Sequence, residues 1–381
     1  MGLLEKIKEI EAEMARTQKN KATEYHLGQL KAKLAKYRSQ LLEAPKAGKK
    51  GEGFDVQRQG DARICLIGFP SVGKSTLLSK ITSTTSEVAD YEFTTLTCKP
   101  GIISYKDSKI QLLDLPGIIQ GASEGRGRGR QVIAVAKSCD MIMMILDATR
   151  DDSQKIKLEN ELKSVGIRIN QEPQRITLTR KKMGGVVINS TVPLTKLDNK
   201  LIMSILHQYK IHNCNLLFNE DASVDDLIDV IEGNRKYIKC IYVYNKIDML
   251  PIEDINKIAL CDNTVVISSS KSWNLDVLKE YIFQKLEIIR VYTKVRKEKP
   301  DFTNPITLTR QRGTQTVEAV LNQIHKVNSQ YFILLFYYQI DMIKDFKFAL
   351  VWGRSTKHNP QRVDLHHKLA DEDVIQIAKN S

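Results

Sequence analysis

Residues 68–75 read GFPSVGKS and fit the spacing G-x-x-x-x-G-K-[ST]. Such a run can hold a chain of phosphates. Gly68, Pro70, Ser71, Val72 and Gly73 form the loop, and Lys74, Ser75 and Thr76 open a helix. Backbone N–H groups of the loop and the helix N-terminus would point at phosphate oxygens, and the glycines let the backbone approach them. The Lys74 ammonium would neutralise the β and γ oxygens, and the Ser75 hydroxyl would ligate Mg²⁺.

Three more motifs follow in order. Residues 114–117 read DLPG. Asp114 would reach Mg²⁺ through water, and the Gly117 N–H would sense the γ-phosphate. Residues 245–248 read NKID. Alongside Asn245 and Lys246, the Asp248 carboxylate can accept two hydrogen bonds from the N1–H and N2–H₂ edge of guanine, a donor pair adenine lacks. Ser268, Ser269 and Ser270 stand where a second base-contacting loop belongs. Between the first two motifs lies YEFTTL, residues 91–96. A switch loop there needs one threonine on Mg²⁺ and the γ-phosphate, and Thr95 is chosen over Thr94. Loss of the γ-phosphate would release that loop. Together these spacings predict binding and hydrolysis of GTP, with Lys74, Thr95 and Gly117 as the catalytic set and Ser75, Thr95 and Asp114 as the metal set.

The elements around the motifs predict an α/β fold. Residues 63–68, 110–115, 141–147, 241–245 and 265–268 read as short buried strands separated by helical stretches, which implies a parallel, doubly wound sheet. Two amphipathic helices precede it, over 3–15 and 21–42, and pair as a hairpin within 1–45. The lysine- and glycine-rich stretch 46–60 reads as a flexible linker. The GTPase domain is expected over 61–165 and 236–288. Residues 166–235 break the alternation and read as an inserted subdomain, with a β-type run at 186–190 and a helix near 197–208. A small β-rich domain follows over 289–381.

Lysine and arginine number 58 against 45 acidic residues, a net charge of +13. Part of that excess is local, because residues 16–50 hold ten Lys/Arg and two Glu. A short basic arm points to a polyanionic partner such as RNA, with solubility as the plainer alternative. The six cysteines form no CxxC pair, consistent with a reduced, cytoplasmic protein and no zinc site. No apolar run approaches a membrane span, and charges at Glu5 and Lys6 argue against a signal peptide.

Beyond the motifs, the chain resembles the developmentally regulated GTP-binding proteins, a branch of the Obg-related GTPases. The resemblance is carried by IEAEMARTQKNKAT (10–23), GEGFDV (51–56), GFPSVGKSTLLSK (68–80), YEFTTLT (91–97), KIQLLDLPGIIQGA (109–122), GRGRQVIAVA (127–136), DDLIDVIEGNR (225–235), YNKID (244–248), ALVWG (349–353), KHNPQ (357–361) and DEDVIQI (371–377). It covers nearly the whole chain. It implies an N-terminal helical hairpin, a P-loop GTPase domain, an insert like domain 2 of ribosomal protein S5, and a C-terminal β-grasp TGS domain. It also implies work on ribosomes in translation and a dedicated regulatory partner protein.

Several positions depart from common GTPase patterns. Ile118 follows Gly117 where many GTPases place a water-orienting Gln. Gln120 is a nearby substitute, and potassium against the phosphates is another route. That route usually employs an Asn where Ser71 stands. Arg126, Arg128 and Arg130 read either as an internal arginine finger or as a basic switch facing RNA or a partner. Ser270 replaces the usual Lys of the second base loop. Residues 327–339, VNSQYFILLFYYQ, carry no charge and do not match the TGS pattern on their flanks. They read as a translated retained intron or as a true loop insertion. The competing functional class is a nucleotide-regulated adaptor whose hydrolysis is incidental.

Overall fold

The apolar runs beside the glycine loop become the fully buried centre of one large sheet. The computed structural model describes residues 2–42, 60–82, 92–93, 96–97, 100–115, 129–310, 315–331 and 346–379. Helices α1 (Leu3–Arg16) and α2 (Glu24–Leu42) pack on one another. Then come β1 (Ala62–Gly68), α3 (Lys74–Ile81), the two-residue strands β2 (Glu92–Phe93) and β3 (Leu96–Thr97), β4 (Pro100–Tyr105) and β5 (Ser108–Asp114). The first half of the large sheet closes with α4 (Gly129–Ser138), β6 (Met141–Asp147), α5 (Ser153–Ser164) and β7 (Ile167–Ile169). A separate unit holds β8 (Ile176–Arg180), β9 (Val186–Ser190), α6 (Asn199–Gln208), β10 (Cys214–Phe218) and α7 (Val224–Glu232). The chain returns through β11 (Lys236–Asn245), α8 (Ile252–Ala259), β12 (Thr264–Val266) and α9 (Leu275–Leu286). It ends with β13 (Ile288–Thr293), β14 (Asp301–Thr309), α10 (Val317–Tyr331), β15 (Phe346–Trp352), β16 (Gln361–Val363) and β17 (Asp373–Lys379).

The large sheet runs β12-β11-β6-β1-β5-β4, with β7 added beside β11. Two apolar layers cover its faces. Leu158, Leu162, Val132 and Val135 lie in one, and Leu77, Leu278 and Ile282 in the other. Helices on both faces make it doubly wound. Two details differ from the sequence expectation. Strand β4 is antiparallel to β5, because Lys106 and Asp107 join them as a two-residue turn with both φ positive. Strand β7 pairs in parallel with β11, so residues 167–169 extend the large sheet rather than the insert.

The insert is a three-stranded sheet, β8-β10-β9, backed by α6 and α7. The hairpin does not stand apart from it. Ala32 of α2 is buried in the same apolar cluster as Leu201, Ile205 and Leu227. Only one strand and one helix of this unit stood out in the sequence. Helix α7 carried a further signal, a reciprocal Ser223–Asp226 cap at its start and left-handed Gly233 at its end.

The C-terminal sheet runs β14-β13-β17-β15-β16, and α10 packs against it through Val317, Val320 and Leu321. Residues 327–331 of the atypical segment continue α10, and 332–339 lie outside the described residues. So do linker residues 46–59.

One buried charge cluster fastens the insert to the large sheet. Asp229 of α7 accepts from Arg168 Nε and Nη2 at 2.7 Å each and from Arg235 Nε at 3.0 Å. All three side chains are nearly buried. Removing the carboxylate leaves two guanidinium groups without their counter-charge, which costs about 3–5 kcal/mol. Asp229→Ala is therefore expected to lower the unfolding midpoint in urea markedly. Asp225→Ala, which removes half-exposed pairs to Lys31 and Lys163, should cost about 1 kcal/mol or less in the same titration.

Candidate functional site

The site forms where β1, β5, β6, β11 and β12 end. The turn after β1 carries residues 68–73. Gly68 lies so close to β6 that a Cβ there would sit 2.5 Å from the Ile145 carbonyl. Gly73 is left-handed at φ +93°, and a Cβ would come within 2.3 Å of Asn245 Nδ2. Both glycines are therefore required by the packing, and the second by its backbone as well. Helix α3 begins directly after, and its first backbone bond runs from the Leu77 N–H to the Gly73 carbonyl. The amides of Lys74, Ser75 and Thr76 precede that ladder and are available to an anion. Pro70, Ser71, Ser75 and Thr76 are exposed, whereas Val72 is buried.

Lys74 turns its ammonium onto the loop, donating to the Gly68 carbonyl at 2.8 Å and the Phe69 carbonyl at 2.9 Å. Burial pushes its pKa below the ordinary lysine value, while the charge on Asp114 works in the opposite direction. Asp114 ends β5, where β5 pairs with β1 at Leu66. It thus lies at the foot of the loop. Thr95 and Gly117 lie outside the described residues.

Asn245 ends β11 and joins two loops. Its Nδ2 donates to the Val72 carbonyl at 2.8 Å, and its Oδ1 accepts from the Ser269 N–H at 2.9 Å. Lys246 is left-handed at φ 68° and donates to Asp147 Oδ2 at 2.7 Å. Asp147 sits opposite Asn245 in the β6–β11 register. Burial opposes its charge, but hydrogen bonds from Lys246 and Thr149 prevail and hold its carboxyl below the usual range. Asp147 was not singled out in the sequence, although an acid closing the apolar run MIMMIL was the available signal.

Asp248 lies on a short 3₁₀ turn, Ile247–Met249. The Ser268 hydroxyl donates to its Oδ1 at 2.6 Å, and the Ser270 hydroxyl lies 3.5 Å from the same oxygen. The Ser268 hydroxyl also accepts from the Lys271 N–H at 3.2 Å, and the Ser268 backbone pairs with Trp273. The Ser268 bond is the chief reason the Asp248 carboxyl is held below its ordinary value. Ser269 faces inward. Its side chain is buried, and its amide is engaged by Asn245. Chemically, the arrangement offers amides and an ammonium group at one end and an oriented carboxylate at the other.

That combination defines a P-loop GTPase. A family model described as a 50S ribosome-binding GTPase matches residues 63–181, and the model for the C-terminal region of that domain matches 183–288. A TGS domain model matches 339–379. The mouse "Developmentally-regulated GTP-binding protein 2" is 58% identical over 380 residues, covering all of both chains. The Arabidopsis thaliana "Developmentally-regulated G-protein 2" is 57% identical over all of this chain and 92% of its own. The Dictyostelium discoideum homologue is 55% identical over all of both chains. The chain belongs to the developmentally regulated GTP-binding protein family; it binds GTP and hydrolyses it.

The geometry sets two expectations. Asn245→Ala leaves the buried Val72 carbonyl and Ser269 N–H without partners, at about 1–3 kcal/mol each. Affinity for GTP and GDP, measured by fluorescent-nucleotide titration, should fall at least about tenfold. Ser268→Ala removes the donor that keeps Asp248 ionised into acid. If guanine recognition rests on that charge, as the NKID motif predicts, binding is full at neutral pH and is lost as pH falls through the Asp248 pKa. In the variant this acid midpoint should move upward, toward the ordinary aspartate value, in a pH titration of GDP binding. An unmoved midpoint would contradict the assignment.

Proposed function

We propose that this GTPase is a slow nucleotide switch acting on ribosomes in translation in the cytoplasm, with RNA among its contacts and a dedicated protein partner. The observation that carries the switch is the Asn245 link between the Val72 and Ser269 loops, because it makes the phosphate and base ends one unit. The ribosomal role is supported by the net charge of +13, by the basic stretch 16–50 and by the description of the matching family model. The domain boundaries expected from the sequence, including an S5 domain 2-like insert at 166–235, belong to the same proposal, with the start of the insert moved past β7.

In this scheme the amides of residues 71–76 and the Lys74 ammonium hold the phosphates, and Asp248 selects guanine, with Asn245 and Lys246 fixing its loop. Ser268, Ser269 and Ser270 shape the base pocket, two of them through Asp248 and one through Asn245. Thr95 and Gly117 report the γ-phosphate. Ser75 and Asp114 fit a hard cation, since both offer oxygen, and Asp114 lies near enough to Lys74 to favour its charge. Together with Thr95 they would hold Mg²⁺, which supplies charge neutralisation at the β and γ oxygens.

Hydrolysis is placed at the slow end, on the order of 10⁻⁴–10⁻² s⁻¹, because Ile118 cannot orient water. Potassium against the phosphates and the partner protein are the proposed accelerators. Steady-state turnover in potassium buffer should exceed that in sodium buffer, and equal rates would remove potassium from the scheme. The ribosomal role is tested by co-sedimentation with ribosomes in GTP, GDP and a non-hydrolysable analogue. Enhanced pelleting with the analogue over GDP is expected. Pelleting that ignores the nucleotide, alongside measurable turnover, would favour an adaptor whose hydrolysis is incidental.

A further inference from the structure

Helices α2 and α6 meet along an open groove of about 870 Å³. It lies away from the nucleotide loops, between the N-terminal hairpin and the insert. Its walls are fixed. Gly28 allows close approach, since a Cβ there would lie 2.9 Å from Leu201 Cδ1. Gln29 Nε2 donates to Ser204 Oγ at 2.7 Å, and the Tyr209 hydroxyl donates to the Ala32 carbonyl at 3.3 Å.

The groove differs from the rest of α2 in how its charge is spent. Elsewhere on α2, Lys31 is paired with Asp225 and Arg38 with Glu11. Lys36 donates to the Gln208 carbonyl at 2.6 Å and lies over the Tyr209 ring. Lys33 on α2 and Lys200 on α6 line the groove and make no ion pair among the described residues. Among the described residues, no acidic side chain lines it. Tyr25 on one wall is 45% exposed, and His207 on the other has its ring 5.5 Å from that of His212. The Gln208 Oε1, also at the groove, is buried and has no donor among the described residues.

We propose that this groove binds single-stranded RNA. The inference rests on the RNA contact proposed above and gives it a location. Two uncompensated ammonium groups on facing walls suit a backbone carrying one charge per nucleotide. Exposed Tyr25 and His207 offer aromatic rings on which unstacked bases can stack. Duplex RNA keeps its base faces stacked and offers neither of those contacts.

The test uses the full chain and a labelled 20-nucleotide oligouridylate in fluorescence anisotropy across a salt series. Lys33→Glu with Lys200→Glu should weaken binding about tenfold or more and flatten the log–log salt slope by about 1.4, the effect of losing two phosphate contacts on a single strand. Tyr25→Ala should weaken binding about fivefold or more without changing that slope. Lys257→Glu, an exposed charge reversal on α8, should leave affinity near wild type. All variants should keep wild-type GTP turnover and thermal unfolding. Wild-type affinity in the double variant, or an equal loss in Lys257→Glu, overturns the groove while leaving the RNA reading in place. A wild-type chain that ignores the oligonucleotide, or prefers an acidic peptide to it, overturns both.

Discussion

The side-chain amide of Asn245 uses both of its ends, one on the Val72 carbonyl and the other on the Ser269 N–H. Three chain segments that leave three different strands are thereby held at fixed separation. Backbone bonds continue between the loops after β11 and β12, from the Ile247 N–H to the Ile267 carbonyl, and the Asn245 side chain adds the Val72 loop after β1 to that pair. A side-chain amide donates and accepts at the same time from one planar head. The contact also explains its neighbour: Gly73 has no room for a side chain because Asn245 occupies that space.

Around that link the charged groups are held by partners rather than left to solvent. Lys246 is anchored on Asp147, Asp248 on Ser268, and Lys74 on two loop carbonyls. Groups oriented before a ligand arrives need little reorganisation when it binds. Strand β11 ties this site to the rest of the molecule. It starts beside Arg235, which is bound to Asp229 of the insert, and ends at Asn245. Along the way Lys239 donates to Glu287 at 2.6 Å, and Glu287 also accepts from Arg310 of the C-terminal unit. Tyr242 and Tyr244 donate to Glu159 and Asp152 and fix the strand against α5.

Much of this was legible from the sequence because phosphate and guanine chemistry demand particular residues at short spacing. GFPSVGKS, DLPG and NKID each announced a loop after an apolar strand, and the structure places the first and last of these at the ends of β1 and β11. What escaped was set by partners distant in the chain. Asp147 becomes a lysine anchor only through the β6–β11 register. Ser269 reads as part of a base-contacting loop, and its tie to Asn245 through the amide carries no signal in the sequence. The antiparallel β4 hides behind a two-residue turn of Lys106 and Asp107, which lacks the usual glycine. The insert was read by only two of its five elements: β8 and β10 run five residues like β9, which was read, and α7 was legible mainly through its caps. The basic arm was recognised as charge, but its folding onto α6 and α7 depends on Gly28 and Ala32, small residues that carry no pattern of their own.

In the proposed scheme, one rigid frame grips phosphate and reads guanine together. Calorimetric titration of the nucleotide-free chain with GDP and with ADP, at the same magnesium concentration, measures that coupling. GDP should bind at least about a hundredfold tighter, since loss of a donor pair facing an ionised carboxylate costs about 3 kcal/mol or more. Equal affinities for the two nucleotides would contradict it.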